Sequence, residues 1–569
     1  MARTPHLRNL KRLIADHAVA ERLRMPVDEY RGLRGEARAE SDGPSRRALL
    51  ARAAALGVGV SAAGAVGAAQ PAGAAQPEPV TRSGAAPRVA IVGAGIAGLN
   101  AALTLADRGI PSTVYEANPG RIGGRMYSGG GAGSPGLWEQ GQVSEFGGEL
   151  IDTAHKTVQR LCRRFGLGLT DVLKAAPAGA DQVRWFHGRY YPRSRADQDF
   201  APVWKAVQAD VRATSGSPTW DRHTARDVAM DALSVRDWID SRVPGGHSSD
   251  LGALLDVAYA VEYGADTTAQ SAFALLGLIS EQADPAHFSV WGASDERYHV
   301  DGGNDRLPRA IADHLPRGTV RQGWRLQAVA ANADGSQSLT FAVDGGRTRT
   351  VTADHTVLAL PLPVLQRDVD LSRAGLDPRM RGVLAHLTMG HCTKLNMQFT
   401  ARPWQGTGPW PGVSADECFA DLPFQQAWDV TRGQRGSHGI LVHYGGGTPA
   451  ASLTPPRAFT DASVPYTAGL VRSNLGQIDR VWPGTGAVWN GRATLSAWHL
   501  DPYTHGAYSY WPVGYLTTYA GYEGTAQGRL HFAGEHTSYD FQGFMEGGAE
   551  SGARAAGEVL TAIGARPKP

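Results

Sequence analysis

The chain has 569 residues, of which 42% are hydrophobic and 19% are charged. This composition suits two or more domains with large buried cores. The net charge of +2 is unevenly spread, because residues 1–52 hold twelve Lys or Arg and seven Asp or Glu and carry +5, which leaves −3 for the rest. A weakly acidic body gives no reason to expect a nucleic-acid partner.

The first 75 residues are predicted to be a leader rather than part of the fold. Arg46 and Arg47 precede a weakly apolar run without acidic residues, and small residues at positions 72–74 suit a signal peptidase. The segment resembles a twin-arginine signal, which exports folded proteins through the twin-arginine machinery to the periplasm or the exterior. A membrane anchor is the alternative, although Arg52 and the many Gly and Ala residues make a poor spanning helix.

The three cysteines, Cys162, Cys392 and Cys418, are odd in number and widely spaced. They indicate neither a disulfide framework nor a zinc site, and we predict no metal. In an exported protein one pair could still form a disulfide, and the sequence leaves open which.

The segment "RVAIVGAGIAGLNAALTLADRG" (residues 88–109) predicts a nucleotide-binding turn between a strand, Val89–Val92, and a helix. Gly93 permits the tight turn, Gly95 lets the backbone approach a pyrophosphate, and Gly98 lets the helix pack closely on the strand. The amides at the start of that helix would point at the phosphates.

The segment "STVYEA" predicts a second strand that ends at Glu116, where a carboxylate would bind the adenosine ribose and leave NAD and FAD both open. "GRIGGRMYS" follows, with a glycine pair at 123–124 between Arg121 and Arg125, and "SEFGGELID" adds a pair at 147–148. Glycines flanked by arginines suit a diphosphate that needs more charge and closer backbone approach. A simple nicotinamide site has no use for them.

The C-terminal segment "GRLHFAGEHTSYDFQGFMEGG" predicts a strand over residues 530–533, a loop, and a helix that begins near Met545. The positive end of this helix would lie beside Gly543 and Phe544. A reduced flavin is anionic along one edge, and a helix N-terminus stabilises such a charge, so this segment favours a flavin.

Together these segments resemble the FAD-dependent amine oxidase superfamily of monoamine oxidases, polyamine oxidases and L-amino-acid oxidases. The resemblance covers about residues 86–562 and implies an α/β fold in which a Rossmann-like FAD-binding domain is interleaved with a discontinuous α+β substrate domain. The predicted domains are the leader at 1–75, the FAD-binding domain at 86–170, 296–365 and 501–562, and the substrate domain at 171–295 and 366–500.

The central sequence supplies elements for both domains. "YHVDGGNDRLPRAIADHL" predicts a helix, "GTVRQGWRLQAVAANADG" a strand pair with a turn at Asp334–Gly335, and "ADHTVLALPLPVL" a buried strand closed by prolines. In the substrate domain, "SDLGALLDVAYAVEYG" and "AQSAFALLGLIS" predict helices, and "TKLNMQF" predicts a strand.

The resemblance implies that FAD is bound non-covalently, because Ala507 occupies the position of the cysteine that attaches the flavin in monoamine oxidases. By family analogy Val320 would contact adenine, although an isolated strand valine is more often a core residue. The residues assigned to the cofactor are Gly93, Gly95, Ile96, Ala97, Gly98, Glu116, Ala117, Arg121, Gly123, Gly124, Arg125, Gly147, Gly148, Glu149, Leu150, Val320, Gly534, Glu535, Gly543, Phe544 and Met545.

The resemblance also assigns three catalytic residues. Lys394 matches the lysine that holds a water at flavin N5, where an ammonium would assist oxygen reduction; the alternative is a strand lysine that reaches solvent. Tyr508 and Phe544 match the two aromatic residues that flank the substrate amine and orient its lone pair. Each aromatic residue alone would more often belong to a core, and monoamine oxidases carry Tyr where this chain has Phe544.

The substrate class depends on the segment "EFGGELID". L-amino-acid oxidases place an arginine two residues after this glycine pair to bind the carboxylate, but Leu150 stands there and follows Glu149. Asp152 matches a position where polyamine oxidases carry an acidic or histidine residue. Glu149 and Asp152 are therefore predicted to bind a cationic substrate, although Asp152 suits the N-cap of the next helix equally well.

We therefore expect a flavin enzyme that oxidises a primary amine, diamine or polyamine to an imine, with hydrolysis to an aldehyde and reduction of O2 to H2O2. The alternative is an L-amino-acid oxidase whose carboxylate-binding arginine lies elsewhere, for example Arg189. A desaturase-like flavoprotein acting on carbon–carbon bonds and a flavoprotein retained only for binding stay open. The expected partners are the amine, O2 and the export machinery, and a homodimer is possible.

Overall fold

The structure is a computed structural model that describes residues 87–131, 133–282, 286–343 and 346–565. The predicted leader lies outside these residues. Within the described ranges, no helix combines the length and the apolar character that a membrane crossing requires.

The strands of the described residues have the following bounds in chain order: β1 Val89–Val92, β2 Ser112–Glu116, β3 Ser128–Gly130, β4 Val143–Glu145, β5 Leu169–Asp171, β6 Ala180–Phe186, β7 Arg189–Tyr190, β8 Tyr298–Val300, β9 Val320–Gln322, β10 Arg325–Ala331, β11 Gln337–Val343, β12 Arg347–Ala353, β13 His355–Leu358, β14 Asp370–Arg373, β15 Thr388–Met389, β16 Cys392–Phe399, β17 Gln405–Thr407, β18 Val413–Ala420, β19 Gln426–Asp429, β20 Gly439–Gly446, β21 Phe459–Asp461, β22 Trp489–Ala497, β23 Ser509–Tyr510 and β24 Leu530–Phe532.

The α-helices in the same ranges are α1 Ile96–Ala106, α2 Lys156–Arg164, α3 Val172–Ala175, α4 Arg193–Ala213, α5 Ala225–Asp231, α6 Val235–Arg242, α7 Asp250–Tyr263, α8 Ala272–Ile279, α9 Arg306–His314, α10 Leu362–Arg367, α11 Pro378–His386, α12 Thr448–Ala451, α13 Pro465–Val481, α14 Tyr515–Thr518 and α15 Met545–Ala562.

The fold has two halves, and each half is built on one large sheet. The first half, which includes β1 and the last strand, contains a parallel sheet with the strand order β24-β13-β1-β2-β9. Strand β1 is apolar throughout because both faces of this sheet are covered. Val89 and Ile91 pack with helices α1 and α15, whereas Ala90 and Val92 pack toward a smaller sheet of β12-β11-β10-β14. Helices α1 and α15 approach so closely that a Cβ added at Gly552 would lie 2.0 Å from the Ala97 carbonyl oxygen.

A broad, largely antiparallel sheet organises the second half, with the order β21-β22-β16-β20-β19-β18-β6-β7 and with β17 paired to β18. Side chains alternate between its faces. Leu395 and Met397 of β16 pack with helix α13 on one face. Lys394 of the same strand points the other way, toward a cavity between the two halves.

The structure confirms the predicted mixed α/β fold. The strands predicted at Val89–Val92 and at 112–116 have those bounds, and the last helix begins at Met545. The turn at Asp334–Gly335 joins β10 to β11. The parallel sheet uses segments assigned to the FAD-binding domain and the broad sheet uses segments assigned to the substrate domain, but β14 pairs with β10 although it follows residue 365. The domain boundaries stay a prediction.

Candidate cofactor and substrate cavity

A cavity of about 420 Å³ lies between the two halves of the fold. It extends from the carboxyl ends of β1 and β2 to the face of the broad sheet that carries Lys394. The predicted cofactor residues that line it are Gly93, Gly95, Ile96, Ala97, Glu116, Ala117, Arg121, Gly123, Gly124, Arg125, Gly147, Gly148, Glu149, Leu150, Gly534, Glu535, Gly543, Phe544 and Met545.

The glycine turn after β1 has the geometry that its sequence predicts. Gly93 has a φ of +104°, and a Cβ there would lie 2.6 Å from the Ala359 carbonyl oxygen. A Cβ at Gly98 would lie 1.9 Å from the Gly93 carbonyl oxygen, so Gly98 serves helix packing and does not line the cavity. A Cβ at Gly95 would meet no atom within 4 Å and would occupy the cavity. The turn therefore leaves room for a ligand directly against its backbone.

The first turn of α1 and the end of β2 face each other at this end of the cavity. No side chain caps the start of α1, so its first amides are available to a phosphate. The Glu116 carboxylate accepts hydrogen bonds from the amides of Ala94 and Asn118, each at 2.8 Å. Burial raises the pKa of Glu116 against these hydrogen bonds.

The two predicted arginines have different surroundings. Arg121 is largely buried, donates to the Gly124 carbonyl oxygen and lies 4.4 Å from the ring centroid of Tyr127. Arg125 donates to the Ala507 carbonyl oxygen at 2.8 Å and pairs with the Glu535 carboxylate at 2.7 Å. Glu535 also accepts hydrogen bonds from the Ser509 hydroxyl and the Gly543 amide. Its carboxylate thus joins three segments around the cavity rather than standing free for a ligand.

The start of helix α15 also faces the cavity. Phe544 is its N-cap residue and provides no side-chain cap. A Cβ at Gly148 would lie 2.9 Å from Met545 Cγ, which explains why a glycine stands there. The Glu546 carboxylate accepts hydrogen bonds from the amides of Thr157 and Val158 in helix α2.

The hypothesis that Asp152 caps helix α2 is wrong. The N-cap position is His155, and Glu546 binds the first free amides of the helix. Asp152 instead accepts hydrogen bonds from the Ser294 hydroxyl at 2.8 Å and from the Glu296 amide at 3.0 Å. It does not line the cavity, and its hydrogen bonds hold the loop that carries Glu296; its predicted contact with substrate stays a prediction.

Val320, like Gly98, is assigned to the cofactor by the sequence analysis but does not line the cavity. It pairs with Val114 in the sheet and packs against the core of the nucleotide-binding half. Trp324, Arg325 and Leu326 line the cavity a few residues further along the chain. The contact between Val320 and adenine stays a prediction.

These residues fit a flavin dinucleotide. The open backbone at Gly95, the uncapped amides of α1 and the buried guanidinium of Arg121 together suit a diphosphate. The uncapped start of α15 supplies positive potential at the opposite side of the same cavity, where an anionic ring edge would be stabilised.

Lys394 lies in the centre of the cavity wall and is only 6% exposed. Its ammonium is 2.7 Å from one carboxylate oxygen of Glu149, and the Trp428 indole N–H donates to the other at 2.8 Å. Burial alone would raise the pKa of Glu149, but Lys394 and Trp428 hold it below its ordinary value. Glu149 is thus a paired anion that fixes the ammonium, and Lys394 does not extend to solvent as a surface strand lysine would.

Both predicted aromatic residues line the cavity. The Tyr508 hydroxyl donates to the Val261 carbonyl oxygen at 2.7 Å and lies 2.8 Å from the Tyr444 hydroxyl and 3.0 Å from Cys392 Sγ. Burial raises the pKa of Tyr508. The ring of Phe544 lies 5.1 Å from that of His155. Tyr508 is thus fixed by hydrogen bonds, whereas Phe544 is placed by ring contacts.

Three glutamates that the sequence analysis missed line the substrate part of the cavity: Glu262, Glu296 and Glu417. Burial raises the pKa of Glu262 to about 8, with a contribution from Asp152. Burial, together with Glu417, raises the pKa of Glu296 well above its ordinary value. Their positions give no sequence signal, because Glu262 lies near the end of a helix, Glu296 in a loop and Glu417 in a strand, with no shared motif or spacing.

Trp428 and Tyr444 were also missed, although the alternation of β19 and β20 places both on the cavity face beside Lys394. Arg189, the arginine suggested for a carboxylate, does not line the cavity. Its guanidinium is exposed and pairs with Asp250 at 2.8 Å. Arg432 does line the cavity.

The chain matches a known protein family. The family model described as "Flavin containing amine oxidoreductase" matches residues 96–560. The chain belongs to this family. It is therefore a flavin-dependent enzyme that oxidises small-molecule amines with O2.

Members of the family that resemble this chain differ in their names. An L-amino-acid oxidase of Mus musculus is 26% identical over 493 residues, which cover 84% of this chain and 71% of that protein. Amine oxidase A of Bos taurus is 22% identical over 490 residues, which cover 84% and 85%. These values agree with the family that the model match shows, and they leave the substrate open.

Two solved structures share the fold. The cyclohexylamine oxidase of Brevibacterium oxydans IH-35A superposes with a TM-score of 0.69 at 21% identity, covering 84% of this chain and all of that chain. A putrescine oxidase bound to putrescine gives 0.66 at 19% identity, covering 84% and 99%. At this identity the likeness concerns the fold alone.

Proposed function

We propose that the protein binds FAD non-covalently and oxidises a primary amine to an imine, which water converts to an aldehyde and ammonia while O2 becomes H2O2. The observation that carries the proposal is the single cavity that joins the glycine turn and the start of α1 to Lys394, Tyr508 and Phe544. Ala507 lines this cavity and has no atom that could form a thioether.

A flavin held in this cavity would supply the acceptor for the hydride that leaves the carbon bearing the amine nitrogen. The chain's contribution is to hold that carbon in place and to keep the nitrogen neutral. Tyr508 is suited to the first task because its three hydroxyl contacts fix its ring. The apolar faces of Tyr508 and Phe544 favour an uncharged nitrogen over an ammonium that has kept its hydration shell.

Lys394 is proposed to assist the reduction of O2. Its ammonium is buried and held by Glu149, so it needs no reorganisation to stabilise the negative charge that develops on oxygen. Glu149 is proposed to position Lys394 rather than to bind substrate, since Lys394 and Trp428 already occupy both of its oxygens.

L-amino-acid oxidation is a second candidate, and Arg432 favours it. A guanidinium in the cavity wall is able to bind a carboxylate in the way that Leu150 is not. The name of the mouse relative agrees with this alternative.

The main test is an anaerobic titration of purified holoenzyme with n-alkylamines, putrescine, tyramine and several L-amino acids. We expect amines to bleach the flavin and, in air, to give one H2O2 for each aldehyde formed. Amino acids that bleach it faster than every amine would establish the second candidate. A flavin that no compound bleaches would overturn both. Acid precipitation should release the flavin as FAD into the supernatant.

Export through the twin-arginine route is a separate proposal, supported by Arg46 and Arg47 and the apolar run after them. Residues 1–75 fused to a reporter that folds before export should carry it out of the cytoplasm. Replacement of both arginines by lysine should retain it there. Export that persists after this replacement would contradict the route.

A further inference from the structure

The substrate part of the cavity carries carboxylates that the cofactor and a simple amine leave unused. Glu262, Glu296 and Glu417 line it together with Arg432. In the described part of the chain, Arg432 forms no ion pair with these three within 4.0 Å, although its charge favours the ionised form of Glu296. Glu417 is buried and Glu262 and Glu296 are half-buried, and carboxylates withdrawn from water without a paired cation are costly to the fold, so their presence here calls for a function.

In this region, one carboxylate oxygen of Glu417 and the indole N–H of Trp291 have no hydrogen-bond partner among the described residues. Glu417 is 9% exposed, and one of its oxygens accepts a hydrogen bond from the Gln426 amide at 2.9 Å. Its other oxygen has no hydrogen-bond partner among the described residues. The indole N–H of Trp291, a cavity residue that is 6% exposed, has none either. Glu417 lines the cavity, so its second oxygen is available to a ligand there.

The register of the broad sheet places this region far from Lys394. Lys394 lies opposite Tyr444, Tyr444 opposite Gln426, and Glu417 opposite Trp428, which is two residues from Gln426 on the same face. Neighbouring strands lie about 4.8 Å apart, so Glu417 lies about 14 Å across the sheet from Lys394. Glu262 follows Val261, whose carbonyl oxygen accepts a hydrogen bond from Tyr508, and therefore lies near Tyr508.

We propose that Glu296 and Glu417 bind a second cationic nitrogen of the substrate, and that the preferred substrates are alkyl chains with an amine at one end and an ammonium or guanidinium at the other. This inference rests on the proposed amine oxidation and specifies its substrate. The aromatic rings of Trp291, Trp428 and Tyr444 line the path of the chain. Glu262 lies along that path and adds negative charge there only when it is ionised.

The kinetic test compares α,ω-diaminoalkanes with n-alkylamines of equal length, with spermidine and agmatine as longer ammonium and guanidinium substrates. Loss of a hydrogen bond to a charged group is expected to cost about tenfold or more in kcat/KM. We therefore expect wild-type enzyme to prefer the long diamine by about that factor. Equal rates for diamines and monoamines would overturn the inference.

Glu417→Gln and Glu296→Gln keep the size of each side chain and remove its charge. Each should abolish the preference for the diamine while changing the kinetics of the n-alkylamine by less than about twofold. Asp313→Asn is the matched control, because Asp313 is exposed on helix α9 away from the cavity. A parallel loss of activity on both substrate types would show a structural role instead and overturn the inference.

A binding measurement separates this inference from the proposed function. Calorimetry with a bis(trimethylammonium)alkane, which turnover does not consume, should show binding to wild-type holoenzyme that weakens by about fivefold or more in Glu417→Gln, because the quaternary charge loses the attraction of the carboxylate. If no amine bleaches the flavin but this binding persists, the amine oxidase proposal fails and the cation site stands. If L-lysine and L-arginine exceed L-leucine and all the diamines, the distal site stands with the amino-acid alternative. Equal affinity for mono- and bis-quaternary ligands would overturn the site itself.

Discussion

The cofactor half of the cavity is bounded largely by backbone, whereas the substrate half is bounded by side chains from a broad antiparallel sheet. Glycines 93 and 95 and the uncapped ends of α1 and α15 define the first half. Lys394, Trp428, Tyr444 and Glu417 define the second. The difference indicates that changes in the first half decide whether a flavin binds, while changes in the second decide what is oxidised and how fast.

The buried carboxylates around the cavity differ in whether a cation is paired with them. Glu535 and Glu149 are paired with Arg125 and Lys394, and these cations hold the pKa of each carboxyl below its ordinary value although burial opposes them. Glu262 and Glu296 face the substrate space, and burial raises their pKa values. The paired carboxylates therefore belong to the framework of the enzyme.

The largest effect is expected from Gly95→Val. Its side chain would project into the cavity without meeting protein atoms, so the fold should persist while flavin binding falls by more than about a hundredfold, as expected for steric exclusion of a buried diphosphate. Flavin titration of the apoprotein followed by fluorescence measures this. Gly476→Val, at an exposed helical glycine with no atom within 4 Å, is the control. A yellow Gly95→Val protein would contradict a backbone-built cofactor half.

Lys394→Met tests the residue that lies where the cofactor half of the cavity meets the substrate half. It should slow flavin reoxidation by about a hundredfold, through loss of one preorganised charge, and leave anaerobic reduction by amine much less affected. It should also destabilise the protein by about 3 kcal/mol, because Glu149 becomes a buried unpaired anion.

Addition of Glu149→Gln to Lys394→Met should restore stability but not reoxidation. Thermal unfolding and stopped-flow mixing with O2 measure the two quantities. Unchanged oxygen kinetics in the single variant would remove the proposed role of Lys394.

The preference for diamines over n-alkylamines should depend on pH, because only diamines place a second cation near Glu262, Glu296 and Glu417. Burial raises the pKa of Glu262 to about 8, so Glu262 is neutral below that pH and anionic above it. A distal ammonium with an ordinary pKa of about 10 stays charged over this range. The preference for diamines over n-alkylamines should therefore rise as the pH increases through 8.

Glu262→Gln should flatten this rise, while any remaining dependence reports Glu296, whose pKa burial also raises. The ratio of kcat/KM values cancels the titration of the reacting amine, which both substrates share. A ratio that falls with pH would contradict the assigned charge.

The smallest effect is expected from Arg189→Ala. Its guanidinium is exposed and paired with Asp250 outside the cavity, so stability should change by at most about 1 kcal/mol and activity by less than about twofold. Arg432→Met is the informative partner, since it should abolish oxidation of any L-amino acid but not of n-alkylamines. Loss of amino-acid oxidation in Arg189→Ala alone would reverse this assignment.

The sequence predicts the cofactor half well because a backbone-built site requires glycines at fixed spacings. Gly93, Gly95 and Gly98 are readable for that reason, and so is the start of α15. The substrate half is hidden because its side chains come from segments that only the sheet register brings together. Glu417 and Lys394 are 23 residues apart but share one face through two intervening strands. The capping alternative for Asp152 was wrong because a remote residue, Glu546, binds the first free amides of helix α2.

The last strand and the last helix complete the site, and this has a consequence for biosynthesis. Strand β24 closes one edge of the parallel sheet, and α15 directs its first turn at the ligand space while Glu546 binds helix α2. A nascent chain on the ribosome lacks these pieces until residues 530–562 have been synthesised. Retention of the flavin is therefore expected only after the last helix has formed, and a product truncated before residue 545 should emerge without a retained chromophore.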